Sequence, residues 1–398
     1  MSSQRNILDR LRGAEWLMRP ETQRLLAMLD GAQRRTRAVG GIVRDTLLGI
    51  EHLGNDVDMA TELTPDEVAH RASRAGVTVH PTGVEHGTLT LRLDDLVAEV
   101  TTLRRDVETD GRRAVVAFGT DWREDAARRD FTLNALYAEM DGNLFDPLGG
   151  LQDCLARRVR FIGRPEQRIE EDRLRVYRFF RFTASHGGEQ FDSAGLKACV
   201  AAADSLGSLP AERIGTEMRR MLALPRVART LAAMQSASIL DLPLITLERL
   251  HLYERRARRT ELAARLAIVL AEMDAAWLRA HWRLSNEDLR VAEAILTVSR
   301  LLVDFNLNEA AYRYPAALSE GVEVAAVLHQ WSEAGRLAVR EQLERLDVRQ
   351  FPIGGADLIE RGFSPGPQLG DELERLERLW IDSAFTLDRA ALLAAVRI

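Results

Sequence analysis

The pattern of apolar and polar positions changes texture once along the chain, at Gly149-Gly150. Ahead of that point, short apolar and alternating runs predict strands over residues 37–39, 57–59, 88–93, 96–101 and 114–118. Residues 136–139 and 144–146 predict a hairpin closed by Asp141-Gly142, a dipeptide suited to tight turns. Helices are expected over 42–48 and 64–75. The second opens on Thr64-Pro65-Asp66-Glu67, a hydroxyl cap followed by proline and two acids. Leu8, Leu11, Trp16, Leu17, Leu25, Leu26 and Leu29 give residues 1–30 a helical spacing. From about residue 165 onward the spacing is helical almost throughout, with breaks at Gly187-Gly188, Pro210, Pro225, Pro243, Pro315, Pro352 and Pro365–Pro367. The expected class is α+β, a small mixed-sheet head followed by all-α segments. The expected division is 1–140 for the N-terminal helix and head, 141–205 for a hinge and helical neck, 206–300 for a helical body and 301–398 for a helical tail.

Composition narrows this picture. A chain of 398 residues with 46 % hydrophobic and 29 % charged residues is ordinary for a globular protein of two to four modules. No run approaches the ~20 apolar residues of a membrane span, and the N-terminus lacks a signal-peptide core. Two cysteines, Cys154 and Cys199, make neither a disulfide framework nor a metal cluster. A cytoplasmic protein without a membrane partner is expected. The net charge of −6 argues against a general nucleic-acid binder. Residues 155–182 depart from that average, with nine arginines against four acids, a footprint suited to phosphates. Lys197 is the single lysine, a bias that a GC-rich genome explains as well as any function.

The strongest local chemistry lies between Ala38 and Asp58. A short strand runs into Gly40-Gly41, where the backbone can turn sharply and approach a ligand. The helix that follows directs its unpaired N–H groups at that turn, a setting for phosphate, and Arg44 adds a positive charge one turn on. Asp56 and Asp58, two residues apart on a strand, project to one side while Val57 and Met59 face the core. Two Mg²⁺ ions suit such a pair, because they prefer carboxylate oxygens and substrate phosphates. An exposed strand edge is the plainer reading of a lone Asp-x-Asp.

Gly40-Gly41-Ile42-Val43-Arg44-Asp45 followed by Asn55-Asp56-Val57-Asp58 resembles the head of the class II tRNA nucleotidyltransferase and bacterial poly(A) polymerase superfamily. Further segments match in order: Glu85-His86-Gly87-Thr88; Glu99-Val100-Thr101-Thr102-Leu103-Arg104, with Leu103 where phenylalanine is usual; Arg128-Arg129-Asp130-Phe131-Thr132-Leu133-Asn134; and Asp146-Pro147-Leu148-Gly149-Gly150. The resemblance covers about residues 36–182. It implies a nucleotidyltransferase-fold head, Mg²⁺, and catalysis by Asp56 and Asp58, with Glu99 as a third carboxylate or else a solvated strand acid. It also implies phosphate binding by Gly40, Gly41, Arg44 and Arg129, and ribose recognition by Asp130 and Asn134. Arg129 and Asp130 form a donor–acceptor pair in the segment that the resemblance assigns to the ribose and its 2′-hydroxyl, a structural ion pair at a helix start being the plainer reading, and Asp130 and Asn134 are expected to share a helix face. Residues 104–118, with Asp110-Gly111-Arg112, resemble a mobile loop of CCA-adding members and equally read as a surface hairpin.

Residues 165–182 form the second strong signal. Asp172 and Arg175 are three apart, so both heads are expected on one side of a helix. An aspartate accepts from an exocyclic amine and an arginine donates to ring acceptors, so together they imitate a base-pairing partner. Cytosine and adenine fit that polarity; guanine and uracil do not. The family's Glu-Asp-x-x-Arg motif matches Glu171, Asp172 and Arg175, with Glu171 orienting the arginine. Without the resemblance, a surface salt bridge explains the spacing. Arg178 and Arg181 are expected to make further neck or RNA contacts. Arg255-Arg256-Ala257-Arg258-Arg259 could hold a tRNA arm or be a solvated face. No His-Asp dipeptide occurs, and Ser185-His186 and the other histidines read as structural. From residue 371 onward six acids accompany four arginines, whereas a basic extension would suit a poly(A) polymerase. The resulting expectation is a CCA-adding tRNA nucleotidyltransferase using CTP, ATP and a tRNA 3′ end. The alternatives are a poly(A) polymerase or partial CC- or A-adding enzyme, and an RNA-binding protein without catalysis.

Overall fold

The computed structural model describes residues 2–51, 54–84, 87–109 and 114–397. The chain divides into two compact units, Met1–Leu209 with Ser236–Ile239, and Pro210–Gln235 with Leu240–Ile398. The strands are β1 Thr36–Val39, β2 Asp56–Thr61, β3 Thr78–Gly83, β4 Thr88–Leu93, β5 Leu96–Thr102, β6 Arg104–Thr109, β7 Ala114–Phe118, β8 Tyr137–Ala138 and β9 Leu144–Phe145. Seven of them form one sheet in the order β3-β4-β5-β2-β1-β8-β9, with β2 and β5 parallel and every other pair antiparallel. The first unit's helices are α1 Ser2–Arg12, α2 Glu15–Met18, α3 Pro20–Met28, α4 Gly41–Leu48, α5 Pro65–Arg74, α6 Trp122–Ala127, α7 Gly150–Leu155, α8 Pro165–Glu171, α9 Arg175–His186 and α10 Ser193–Ala202. The class is α+β, with a mixed sheet followed by helices.

Burial explains why β2 sits where it does. Val57 and Met59 are buried beside Ala98 and Val100 of β5, while Asp56 and Asp58 are exposed on the opposite face. A one-residue slip would put both carboxylates into the core, so the register is fixed. Further along the carboxylate face, Ala60 joins Val39, Leu103, Trp122, Ala126, Ala135, Tyr137 and Ile162 in a packed cluster. The predicted cap of α5 forms as a reciprocal pair: Thr64 Oγ1 accepts from Glu67 N, and Glu67 Oε2 accepts from Thr64 N at 2.8 Å.

Two elements depart from the sequence-based expectation. β3 carries Pro81 and mostly exposed polar residues; an edge strand tolerates proline because no neighbour needs its missing donor. As the hairpin reading of residues 104–118 expects, β6 pairs with β7, in a separate two-stranded ribbon. Asp110-Gly111-Arg112 and the Glu85-His86 match lie outside the described residues. The second departure is a break between α8 and α9. Asp172 is extended (φ −151°, ψ 104°), its carboxylate accepts from Leu174 N at 3.1 Å, and its carbonyl accepts from Arg175 N at 3.0 Å. Aspartate can satisfy nearby backbone donors itself, which ends one helix and starts the next. Asp172 is therefore a corner residue and not part of a continuous helix.

Aromatic packing holds α9 to the head. Phe131 bridges Phe161 as a short β-contact, and their rings pack with Phe179 and Phe182 of α9 at centroid distances of 4.9–6.2 Å.

The second unit is helical. Ser285 caps the helix Asn286–Val303 by accepting from Asp288 N at 3.0 Å. That helix packs closely on Leu318–Leu328, where a Cβ at Gly321 would meet Val298 at 2.2 Å. The long helix Pro367–Asp382, followed by a short one at Arg389–Ala394, buries Leu376 and Trp380. Leu379 on the same helix is 37 % exposed, because it lies roughly a third of a turn from Trp380. Among the described residues, no helix is long and apolar enough to cross a membrane.

Candidate active site

β1 delivers the chain to Gly40, whose φ of 78° and ψ of −128° suit glycine alone among common residues. α4 starts at Gly41, so its first N–H groups face the same turn. A Cβ on Gly40 would stand 3.9 Å from Asp58 Oδ2, which places the bare turn directly across from that carboxylate. Between them opens a cavity of about 460 Å³. Its lining collects Gly40, Gly41, Arg44, Asp58, Arg129, Asp130, Asn134, Asp172, Arg175, Arg178 and Arg181. Phe182, which sequence reasoning assigned no role, completes it. Asp56 and Glu99 are exposed on the Asp58 face but outside this lining, with Glu99 level with Asp58 across the parallel β2–β5 pair.

The segment between α6 and β8 differs from expectation in its partners. Residues 129–130 are a bend and Thr132–Asn134 a 3₁₀ turn, so Asp130 and Asn134 share no helix face. They meet nevertheless: Asn134 Nδ2 donates to Asp130 Oδ1 at 3.0 Å. Arg129 and Asp130 do not pair with each other. Arg129 donates to Asp125 at 3.2 Å and to the Tyr137 hydroxyl at 3.2 Å, while Arg178 Nε donates to Asp130 Oδ2 at 2.7 Å. Each of these sequence neighbours finds its own counter-charge.

Asp125, which lies in the matched segment just ahead of Arg128 and to which sequence reasoning assigned no role, is the buried partner of Arg129. It is 1 % exposed and receives Arg128 at 2.6 Å, Arg129 and the Tyr137 hydroxyl. Burial alone would raise its pKa; the Arg129 and Arg128 guanidiniums and the Tyr137 hydrogen bond more than reverse this, holding it below the usual carboxylate value. A depressed folded-state pKa contributes stability that is present above the unfolded value near 4 and is lost as pH falls through the folded value. Removing one partner of a buried pair costs on the order of 3 kcal/mol. Asp125→Asn is therefore expected to melt several degrees below the parent protein at pH 7, with the gap closing below about pH 4. A gap independent of pH would remove the charge from this account.

On the helical wall, Arg175 is held from three sides. Its Nη1 donates to Glu171 Oε2 at 2.7 Å and to the Arg168 carbonyl at 2.8 Å, and its Nη2 to the Arg128 carbonyl at 3.3 Å. Arg168 also donates to Glu171 and to the Arg129 carbonyl. Glu171 thus stands behind the arginine and outside the cavity lining.

The donor set suits a hard divalent cation. Asp56 and Asp58 offer carboxylate oxygens on one exposed strand face beside a helix start suited to phosphate. Among the described residues no group of three or more His, Cys, Asp or Glu side chains forms a ready-made metal site. A cation here would rest on few protein ligands and on the substrate's own phosphates, as Mg²⁺ commonly does.

A mixed sheet with a glycine turn feeding a helix, set against paired strand carboxylates, defines a nucleotidyltransferase head. Residues 36–160 match the family described as the Poly A polymerase head domain. The mitochondrial CCA tRNA nucleotidyltransferase 1 of Danio rerio is 32 % identical over 378 residues, 92 % of this chain and 87 % of its own length. The CCA-adding enzyme of Levilactobacillus brevis is 31 % identical over 388 residues, 94 % of this chain and 96 % of its own. The solved structure of the Bacillus stearothermophilus CCA-adding enzyme in complex with CTP has a TM-score of 0.76 at 26 % identity, covering 95 % of this chain and 97 % of that one. The chain belongs to the CCA-adding tRNA nucleotidyltransferase family.

Proposed function

We infer that this chain adds CMP, CMP and AMP to the 3′ end of tRNA, taking CTP and ATP and releasing pyrophosphate, with amino acids in place of a nucleic-acid template. The observation that carries this reading is one cavity in which the Gly40–Gly41 turn and Asp58 face a wall bearing Asp172 and Arg175. A nucleoside triphosphate fits with its phosphates at the α4 N-terminus, its sugar at Asp130 and Asn134, and its base at Asp172 and Arg175. Arg44 and Arg129 add fixed positive charge on the phosphate side, and Arg178 and Arg181 on the neck side. Mg²⁺ held by Asp56 and Asp58 would neutralise the phosphates and acidify the attacking hydroxyl. Glu99 stands level with Asp58 and reinforces the negative face that attracts the cation. The chain itself supplies orientation and charge placement, the main needs of phosphoryl-type transfer. The proposed compartment is the cytoplasm; the Danio relative is mitochondrial by name, so an organellar address is the competing reading.

The relatives that match over nearly the whole chain carry CCA-adding names, and no separate observation favours poly(A) synthesis. A product ladder on tRNA lacking its 3′ end checks the assignment. CTP alone should extend it by two nucleotides, ATP alone by none, and both together by three. A long A-tract would make the protein a poly(A) polymerase, a stop after either base alone would make it a partial enzyme, and no incorporation would make it an RNA-binding protein.

A further inference from the structure

Arg44 reaches the cavity as part of a longer chain of contacts. Its guanidinium makes a two-pronged pair with the adjacent Asp45, Nε to Oδ1 at 2.8 Å and Nη2 to Oδ2 at 3.2 Å. Its Nη1 donates to Asn134 Oδ1 at 2.6 Å. That bond fixes which way the amide faces, leaving Nδ2 to donate to Asp130, itself gripped by Arg178 of α9. In the other direction, Asp45 Oδ1 lies 3.0 Å from His186 Nε2, at the last residue of α9. The chain of contacts leaves α9 at Arg178, crosses the 3₁₀ turn and α4, and returns to α9 two turns later at His186. Phe182 lies inside this ring, its face 5.2 Å from the Arg44 guanidinium and 5.3 Å from that of Arg178.

The protonation states are consistent with a fixed ring. Burial lowers the His186 pKa, Arg44 and Arg181 lower it further, and Asp45 opposes them. Burial alone would raise the Asp45 pKa, but hydrogen bonds from His186 and Arg44 hold it low. A neutral imidazole facing an ionised carboxylate carries its proton on Nε2. Its Nδ1 lies 2.6 Å from Ser185 Oγ, whose single hydroxyl proton is shared between that nitrogen and the Arg181 carbonyl at 2.9 Å. Without His186 the Asp45 carboxylate loses one of its two anchors and is free to turn with Arg44.

We propose that His186 is a positioning residue for nucleotide binding. Through Asp45 it aims the Arg44 fork, and through Arg44 it holds the Asn134 amide toward Asp130. The sugar part of this inference rests on the reading of Asp130 and Asn134 as the ribose contacts. A histidine that merely filled space at the end of α9 would affect melting temperature and the amount of active enzyme, but not KM.

The test measures KM and kcat for CTP and dCTP with the full chain and tRNA lacking its 3′ end, alongside melting temperatures. His186→Leu is expected to raise the CTP KM about three- to tenfold, the scale of one lost hydrogen bond, with kcat nearly unchanged. His186→Gln, which restores an amide donor near the Nε2 position, should return KM to within about twofold. In an Arg44→Ala background His186→Leu should add less than about twofold, since the group it aims is gone. An unchanged CTP KM in His186→Leu, or an undiminished effect in the Arg44→Ala background, would overturn the proposal. Asn134→Ala and His186→Leu should both narrow the preference for CTP over dCTP. If Asn134→Ala leaves that preference intact, the ribose reading fails while the KM cycle still decides the role of His186. If Asn134→Ala narrows it and His186→Leu does not, the link through Asn134 is overturned. Should His186→Leu not fold, His186→Asn, polar but too short to reach Asp45, takes its place in the cycle.

Discussion

Asp58→Ala is expected to reduce nucleotide incorporation by roughly 10³-fold or more, the scale of losing a principal charge-stabilising group, while the tRNA affinity stays within a few-fold of the parent protein. The separation of these two effects follows from where the side chain sits. Asp58 is exposed, and its strand is anchored by Val57 and Met59 on the other face, so truncation leaves the core intact. RNA binding depends on neutralising phosphates, and removing an acid does not weaken that. Asp56→Ala should be similarly severe, since it is the partner carboxylate on the same face. Glu99→Ala should cost less: it stands level with Asp58, yet no group of three such side chains forms a metal cluster among the described residues. Single-turnover incorporation with a matched filter-binding measurement checks this order. Turnover of Asp58→Ala within tenfold of the parent protein would defeat the carboxylate assignment, and a greater loss for Glu99→Ala than for Asp58→Ala would move the centre of the site onto β5.

The parts of this site that could be read from sequence are those in which local pattern determines geometry. Alternation in Asp56-Val57-Asp58-Met59 has one meaning on a half-buried strand, and a glycine pair between strand and helix has few others. The Thr64–Glu67 cap forms because both partners lie within one turn. The parts that could not be read depend on long-range choices. Spacing alone does not say whether Asp172 continues a helix or caps the next one, and the structure takes the second course. Arg129 and Asp130 look paired because they are adjacent, but Asp130 is met by Arg178, 48 residues away. Asp45 belongs to a quoted motif yet had no assigned role, because its partner His186 is 141 residues distant and carries no spacing signal. β3 was missed because its polar residues and Pro81 give no apolar alternation, and an edge strand needs little.

Arg175→Ala should separate choice from chemistry at the other wall. The phosphate side of the cavity is built by residues that do not touch Arg175, so incorporation should continue. What should fall is the preference for CTP and ATP over UTP and GTP, by roughly 10- to 100-fold, as expected when one buried hydrogen-bonding partner of a base is lost. The surroundings of the arginine sharpen the expectation. Its side chain is 14 % exposed, and Glu171 and two backbone carbonyls fix the plane of the fork. Arg175→Lys keeps the charge and loses the fork, so it should lose most of the selectivity as well. Glu171→Gln keeps the fork and weakens the hold on it, so it should fall between Arg175→Lys and the parent protein. Competition of the four triphosphates for a single primer tRNA measures all three variants on one scale. If incorporation of CTP, ATP, UTP and GTP fell equally in Arg175→Ala, the residue would be a strut tying α9 to the Arg128 carbonyl, and base choice would have to be made by other groups on that wall.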